Sequence, residues 1–186
     1  KSIANGIDIL RIFDALNDPR NLETAIKATI KEQGHVQAAI CYTTDPENKI
    51  YTTEYFTNYA KTLEGMGANS ICIKDMSGLL KPYDAYELVS ALKETVKIPI
   101  QLHTHYTSGL ASMTLLKAIE AGVDVVDTAI SPMAMGTSQP PTESLVATLA
   151  GTQYDTGIDL AQLDTVTKYF LPLREKYLAS GQLDPK

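Results

Sequence analysis

The sequence predicts an α/β fold: the C-terminal five βα units of a (β/α)8 TIM barrel, followed by a C-terminal helix. Three observations carry that prediction. Short, β-rich apolar runs recur at 7–13, 36–44, 70–75, 98–103 and 123–130, and amphipathic stretches separate them. Runs that are apolar at successive positions suit strands covered on both faces, and parallel neighbours require right-handed helical crossovers. Polar residues also gather where each run ends: Asp14 and Asn17, Thr43 and Thr44, Lys74 and Asp75, His103 and His105, and Ser131. A rim decorated by successive strand ends is how barrels build their sites. An open doubly wound sheet fits the same alternation, but no glycine-rich phosphate loop follows any of the runs.

In chain order, "KSIANGID" (1–8) reads as the last turn of a helix running into the first strand, "IDILRIF". The chain therefore opens mid-cycle, and three βα units are expected upstream of Lys1, making the strands numbers 4 to 8 of a barrel. Asp18 and Pro19 read as N-cap and first residue of a helix that Gly34 closes. "VQAAICYTT" follows as a strand, then "TEYFTNYAKTLEGMG" as a helix closed by Gly67. "SICIKD", "KPYDAYELVSALKETV", "IPIQLH" and "GLASMTLLKAIEAG" continue the alternation, with Gly122 at the last cap. After "VDVVDTAI", the segment "MAMGTSQPPTESL" (133–145) offers two readings. Gly136 with its neighbouring hydroxyls before a helix can hold an anion, but Pro141 and Thr142 serve equally as plain helix initiation, which is preferred. "DLAQLDTVTKYFLPLREKYLAS" has helical periodicity. The domain division is thus 1–157, the partial barrel, and 158–186, a helical extension toward a post-barrel domain.

Bulk properties exclude several functions. The 186 residues are 44% hydrophobic, enough for one substantial core, and the net charge of −6 argues against nucleic acid or an anionic membrane as partner. No apolar run approaches the roughly 18 residues of a membrane span, and the N-terminus lacks a signal-peptide layout. Both cysteines, Cys41 and Cys72, lie inside apolar runs, as buried thiols of a reducing cytoplasm do.

The rim carries the chemistry. His103 and His105 stand at i and i+2 on a strand, so both rings converge on one side. Lys74 shares strand parity with Cys72 and points inward, where burial disfavours its charged form. A neutral amine there can act as a base, form a Schiff base, or add CO2 to become a carbamate. Two imidazoles and one carboxylate-like oxygen make a first coordination shell for Zn2+ or a similar divalent ion. Asp14 and Asp127 are weaker ligand candidates, and Asp127 reads better as an ion-pair partner of inward-facing Arg11. Asp75, Thr107 and Ser131 are candidates for orienting the histidines. His35, at the opposite end of its strand, reads as structural.

"RIFDALND" (11–18), "AAICYTT" (38–44), "IKDMSGLLKP" (73–82), "LHTHYTSG" (102–109) and "EAGVDVVDTAISPMAMGTSQPPTESLVATL" (120–149) together closely resemble the carboxyltransferase domain of biotin-dependent enzymes. That group includes the oxaloacetate decarboxylase α subunit, the carboxyltransferase subunit of pyruvate carboxylase and the large transcarboxylase subunit. The resemblance implies that Lys74 is an N6-carboxylysine and binds the metal with His103 and His105, and that Met76 lies beside the bound keto acid. It implies a divalent ion (zinc, with manganese or cobalt as alternatives), biotin carried on another domain or subunit, and pyruvate or oxaloacetate as substrate. A metal-ligating aspartate, a glutamine and a carboxylate-binding arginine of that group would lie upstream of Lys1, and a proton-shuttling threonine downstream, so the isolated chain is expected to be inactive. Tyr106 stands where many pyruvate carboxylases have aspartate, which points to two-subunit and decarboxylase-type relatives. The leading expectation is an oxaloacetate decarboxylase α-type function. The alternatives are a pyruvate carboxylase carboxyltransferase subunit and, behind it, a metal-dependent aldolase or lyase of the related His-x-His barrels. Expected partners are a biotin carrier domain, with membrane sodium-pump subunits or a biotin carboxylase subunit, in a cytoplasmic homo-oligomer.

Overall fold

The computed structural model describes residues 1–45, 47 and 49–183. Its five strands are β1 (Ile9–Ile12), β2 (His35–Cys41), β3 (Ser70–Asp75), β4 (Ile100–Thr104) and β5 (Val125–Val126). They pair in chain order, every pair parallel. The helices are α1 (Pro19–Lys31), α2 (Thr53–Gly65), α3 (Pro82–Thr95), α4 (Ala111–Glu120), α5 (Thr142–Leu149) and α6 (Leu160–Ala179). A doubly wound sheet would reverse its strand order at a switch point; this one does not, which is the winding of a barrel.

Strand parity decides which face the helices cover. Val36, Ala38 and Ile40 of β2, Ile71 and Ile73 of β3, and Ile100 and Leu102 of β4 all point to one side and are fully buried. They pack there against Leu22 and Ile26 of α1, Phe56 and Leu63 of α2, Leu88 and Leu92 of α3, and Leu115 of α4. Each fully buried aliphatic side chain of this size contributes about 1.5–3 kcal/mol. The alternate residues, Arg11, Gln37, Cys41, Cys72, Lys74, Gln101 and His103, face the other way and line a concave surface that, among the described residues, carries no helix.

That surface is strongly curved. Arg11 on β1 and Asp127, one residue beyond β5, form an ion pair of 2.7 Å, as their sequence positions predict. In a flat sheet four strand spacings would separate them by about 19 Å. The first and last strands are therefore wrapped toward each other, as a barrel wall requires.

Several boundaries differ from the expected ones. The first strand starts at Ile9 because Ile7 N–H is taken by Ser2 C=O in the preceding turn. β2 ends at Cys41, whose N–H and C=O are both bound by the side chain of Asn17. The fifth strand shrinks to two residues because the chain leaves β4 after Asp127 and pairs with a later segment: Ala129 N–H donates to Pro140 C=O and Thr142 N–H to Ala129 C=O. α5 opens at Thr142 with Pro141 at the capping position, the helix-initiation reading of that segment. Both cysteines are free and buried. Among the described residues no helix is long and apolar enough to cross a membrane.

Candidate metal centre

β4 delivers His103 to the concave face, and His105 follows two residues later, one past the strand end. Their Nε2 atoms lie 3.1 Å apart. The opposite nitrogens are each held by an acceptor: His103 Nδ1 by Asp127 Oδ2 at 2.7 Å, and His105 Nδ1 by Thr137 C=O at 2.5 Å. A carboxylate and a carbonyl can only accept, so both Nδ1 atoms carry the proton. Arg11 Nη1 lies 3.5 Å from His103 Nδ1, but a guanidinium can only donate, and the shorter carboxylate contact sets the tautomer. With neutral rings, both Nε2 atoms then present lone pairs to each other, an approach of 3.1 Å that a shared proton or a metal ion can bridge. Two lone pairs at that distance repel unless a cation lies between them. The separation also matches two nitrogens that each stand about 2.0–2.1 Å from one zinc ion.

Lys74 is the register partner of His103 on the neighbouring strand, so the two side chains leave the sheet side by side. Its ammonium nitrogen lies 4.8 Å from the centre of the Phe13 ring at the end of β1. Among the described residues no three His, Cys, Asp or Glu side chains gather in a way that could hold an ion. A third ligand from this chain must be of another kind, and a carbamate on Lys74 would supply an anionic oxygen. The donor set therefore fits a divalent ion held by His103, His105 and a modified Lys74. Met76, one residue past β3, is more than a third exposed on the same rim.

Other rim residues expected to serve the site are engaged elsewhere. Asp75 has the opposite parity to Lys74 and is fully buried on the helix side. It accepts from Leu79 N–H at 3.0 Å, Leu80 N–H at 2.9 Å and the Thr104 hydroxyl at 2.9 Å, which organises the turn between β3 and α3. Thr107 donates its hydroxyl to Ser77 C=O at 2.6 Å, and Ser131 gives its N–H to Glu143 at 3.0 Å. None of these contacts reaches an imidazole ring; the contacts that orient the rings come from Asp127 and from the Thr137 carbonyl. Asp14 is likewise not gathered with the rings, because it accepts from Leu16 N–H, Asp18 N–H and the Asn21 amide. Those bonds hold its carboxyl below the usual range. His35 is bound to Ser70 Oγ at 2.7 Å at the far end of β2, a structural contact.

Asp127 is the centre of a network across the concave face. Arg11 Nε donates to Gln37 Oε1 at 2.6 Å, Gln37 Nε2 to Gln101 Oε1 at 2.7 Å, and Gln101 Nε2 to Asp127 Oδ1. Burial alone would raise the Asp127 pKa, but bonds from His103, Arg11 and Gln101, with the Arg11 charge, hold it well below the usual carboxylate range. Nearby, burial pushes the Cys72 thiol up to about 12. The loops beside the histidines fit tightly. A Cβ on Gly78 (φ 65°) would stand 2.7 Å from His105 C=O and 2.8 Å from Thr107 Oγ1.

The sequence marks Asp127 as the ion-pair partner of Arg11 but not as the anchor of His103; parity and register would have placed it there, since it lies two residues beyond Val125, itself paired with Gln101. The Thr137 contact is made by a backbone carbonyl and leaves no mark on residue type.

Compared with known proteins, residues 20–169 match the HMGL-like family. The chain is 61% identical over 177 residues to a pyruvate carboxylase subunit of Methanocaldococcus jannaschii, covering 95% of this chain and 31% of that protein. It is 48% identical over 179 residues to the methylmalonyl-CoA carboxyltransferase 5S subunit of Propionibacterium freudenreichii subsp. shermanii, covering 95% of this chain and 35% of that one. Among solved structures, the carboxyl transferase domain of Rhizobium etli pyruvate carboxylase with pyruvate and biocytin superimposes with a TM-score of 0.92 at 42% identity, covering 95% of this chain and 30% of that chain. The chain spans about a third of the length of these relatives.

Proposed function

This chain belongs to the HMGL-like family, and from that premise we propose that it forms part of the carboxyltransferase site of a pyruvate carboxylase-type enzyme. The observation that carries this reading is the pair of imidazoles with fixed tautomers, Nε2 to Nε2 at 3.1 Å, beside the register-matched Lys74. It occurs in a chain 61% identical to the Methanocaldococcus jannaschii pyruvate carboxylase subunit. The leading sequence expectation, an oxaloacetate decarboxylase α-type function, gives way to its alternative, since the relatives carry the names of a pyruvate carboxylase subunit and a transcarboxylase subunit. The sodium-pump partnership expected with it loses its basis. The same identities count against the aldolase or lyase reading.

In this reading the reaction exchanges a carboxyl group between N1 of biotin and the methyl carbon of pyruvate. The methyl carbon gives up a proton and gains the carboxyl group; biotin N1 gives up the carboxyl group and gains a proton. A divalent ion (zinc, manganese or cobalt) held by His103, His105 and carbamylated Lys74 supplies Lewis-acid stabilisation of the charge that develops on the keto oxygen. Asp127 and the Thr137 carbonyl keep both rings aimed, and Met76 on the rim flanks the keto acid. The biotin arrives on a carrier domain or subunit, as the pyruvate and biocytin of the Rhizobium etli domain support. Residues 1–157 form the barrel part, and 158–186 lead toward a further domain. The last three residues, 184–186, lie outside the described ones.

The test is biotin-stimulated decarboxylation of oxaloacetate by the full-length protein, wild type against Lys74→Ala, with bound metal measured in both. Loss of metal together with a fall in rate of at least about 100-fold is expected, a loss of the size that removing electrostatic stabilisation produces. A variant that keeps its metal and its biotin-dependent rate would make Lys74 a bystander on the rim.

A further inference from the structure

We propose that Asp127 is a positioning residue of the metal centre, aiming the Nε2 lone pair of His103, and that Arg11 locks Asp127 in that orientation. The inference rests on the metal-centre reading above and deepens it. An ion pair that merely tied the first strand to the last would need no imidazole. Here one carboxylate oxygen, Asp127 Oδ2, takes both Arg11 Nη1 and His103 Nδ1 at 2.7 Å, while Oδ1 takes the amide of Gln101. With donors arriving from β1, from within β4 and from the ring itself, the carboxylate cannot turn, and neither can the imidazole. The Arg11 guanidinium is itself fixed by Gln37 on β2. The two ring planes stand 73° apart, and each ring has its own anchor. The His105 anchor is a backbone carbonyl, so only the His103 anchor can be removed by changing a side chain. Groups that hold a ligating histidine through its other nitrogen set its tautomer and orientation, and their loss weakens metal binding by about 10–100-fold.

The experiment uses the full-length protein, stripped of metal and titrated with Co2+ against a competing chelator in bicarbonate buffer, with the visible Co2+ spectrum recorded. Asp127→Asn keeps the volume and removes the charge; Co2+ affinity falls about 10–100-fold and the absorption band changes. Asp127→Glu restores the charge one methylene away and gives an intermediate affinity. Asp124→Asn is the control for structural loss: Asp124 pairs with Lys93 at 2.8 Å and accepts from Ile100 N–H, on the outside of the sheet. It lowers the Tm and leaves Co2+ binding alone. If Asp127→Asn behaves like that control, with wild-type affinity and spectrum, the pair only closes the sheet and the proposal is overturned. Should Asp127→Asn fail to fold, wild-type binding and spectrum in Asp127→Glu overturn it equally. His103→Ala and His105→Ala separate the two levels. If they still bind Co2+ as wild type does, the metal-centre reading fails; if they lose it while Asp127→Asn does not, only the positioning role fails.

Discussion

At the scale of single residues, the rim is built by side chains that imitate backbone. Asn17 sits in the left-handed region at φ 56°, buried, and its amide takes both hydrogen-bonding groups of Cys41 at 2.8 Å. It thus stands in for the β1 residue that would otherwise pair there, and it lets the chain turn away toward α1. Alanine would leave a buried N–H and C=O of Cys41 unpaired, about 1–3 kcal/mol each, and would strain the backbone by about 1–2 kcal/mol. Asn17→Ala is therefore expected to destabilise the fold by about 3 kcal/mol or more in chemical denaturation. A loss under about 1 kcal/mol would mean that water replaces both bonds. Residue type made the histidine pair and Lys74 legible, because strand parity needs only counting. The same counting separates Asp75 from Lys74 and sends it to the helix side, so its acidic character at the rim was a poor guide to its contacts.

At the scale of elements, α6 meets the barrel wall through polar contacts beside the half-buried Leu163, Phe170, Leu173 and Leu178. It has no buried residue of its own. Thr167 donates to Glu143 of α5 at 2.6 Å, and Arg174 donates to Pro132 C=O at 2.7 Å. Glu143 also receives Ser131 N–H, at the start of the loop whose later residue Thr137 anchors His105. Burial pushes the Glu143 carboxyl up, but bonds from Thr167, its own N–H and Ser131 more than offset this and hold it below the usual glutamate range. A carboxyl depressed in the folded state stabilises fully above its unfolded pKa, about 4.3, and that contribution fades as pH falls through the folded value. Hydrogen exchange along α6, corrected for intrinsic rates, should therefore show weaker protection at pH 3 than at pH 6. Glu143→Gln should already show the weak protection at pH 6. Equal protection of wild type at both pH values would remove Glu143 from the docking of α6. The helices themselves were legible from periodicity and caps, except that Gln33 (φ 61°) and not Gly34 takes the left-handed position after α1. β5 was overestimated, because the tertiary pairing of Ala129 with the 140–142 segment carries no local signal.

At the scale of the whole molecule, the order of runs and helices was enough to predict the winding, since five parallel strands joined by helices have few ways to lie side by side. The curvature shows in Arg11 meeting Asp127, 116 positions apart, a pair that strand parity already suggested. The composition of the concave face also bounds what this chain does alone. On the proposed function, the carboxylate of a 2-oxo acid is best seated by a guanidinium, and the arginines here are Arg11, Arg20 and Arg174. Arg11 is committed to Asp127 and Gln37, Arg20 to Asp18, and Arg174 to Pro132. Lys74, the cation beside the histidines, ceases to be one once it carries a carbamate. On the proposed function, the metal centre therefore has no free guanidinium of this chain to seat the substrate beside it. The isolated chain is expected to bind Co2+ yet to show biotin-stimulated oxaloacetate turnover at least about 1,000-fold below the full-length protein, the cost of losing both substrate charge pairing and positioning. The two proteins would be assayed side by side at equal metal occupancy. Comparable rates would show that carboxylate recognition is supplied within these residues, and Lys74 as a free ammonium would then be the group to test.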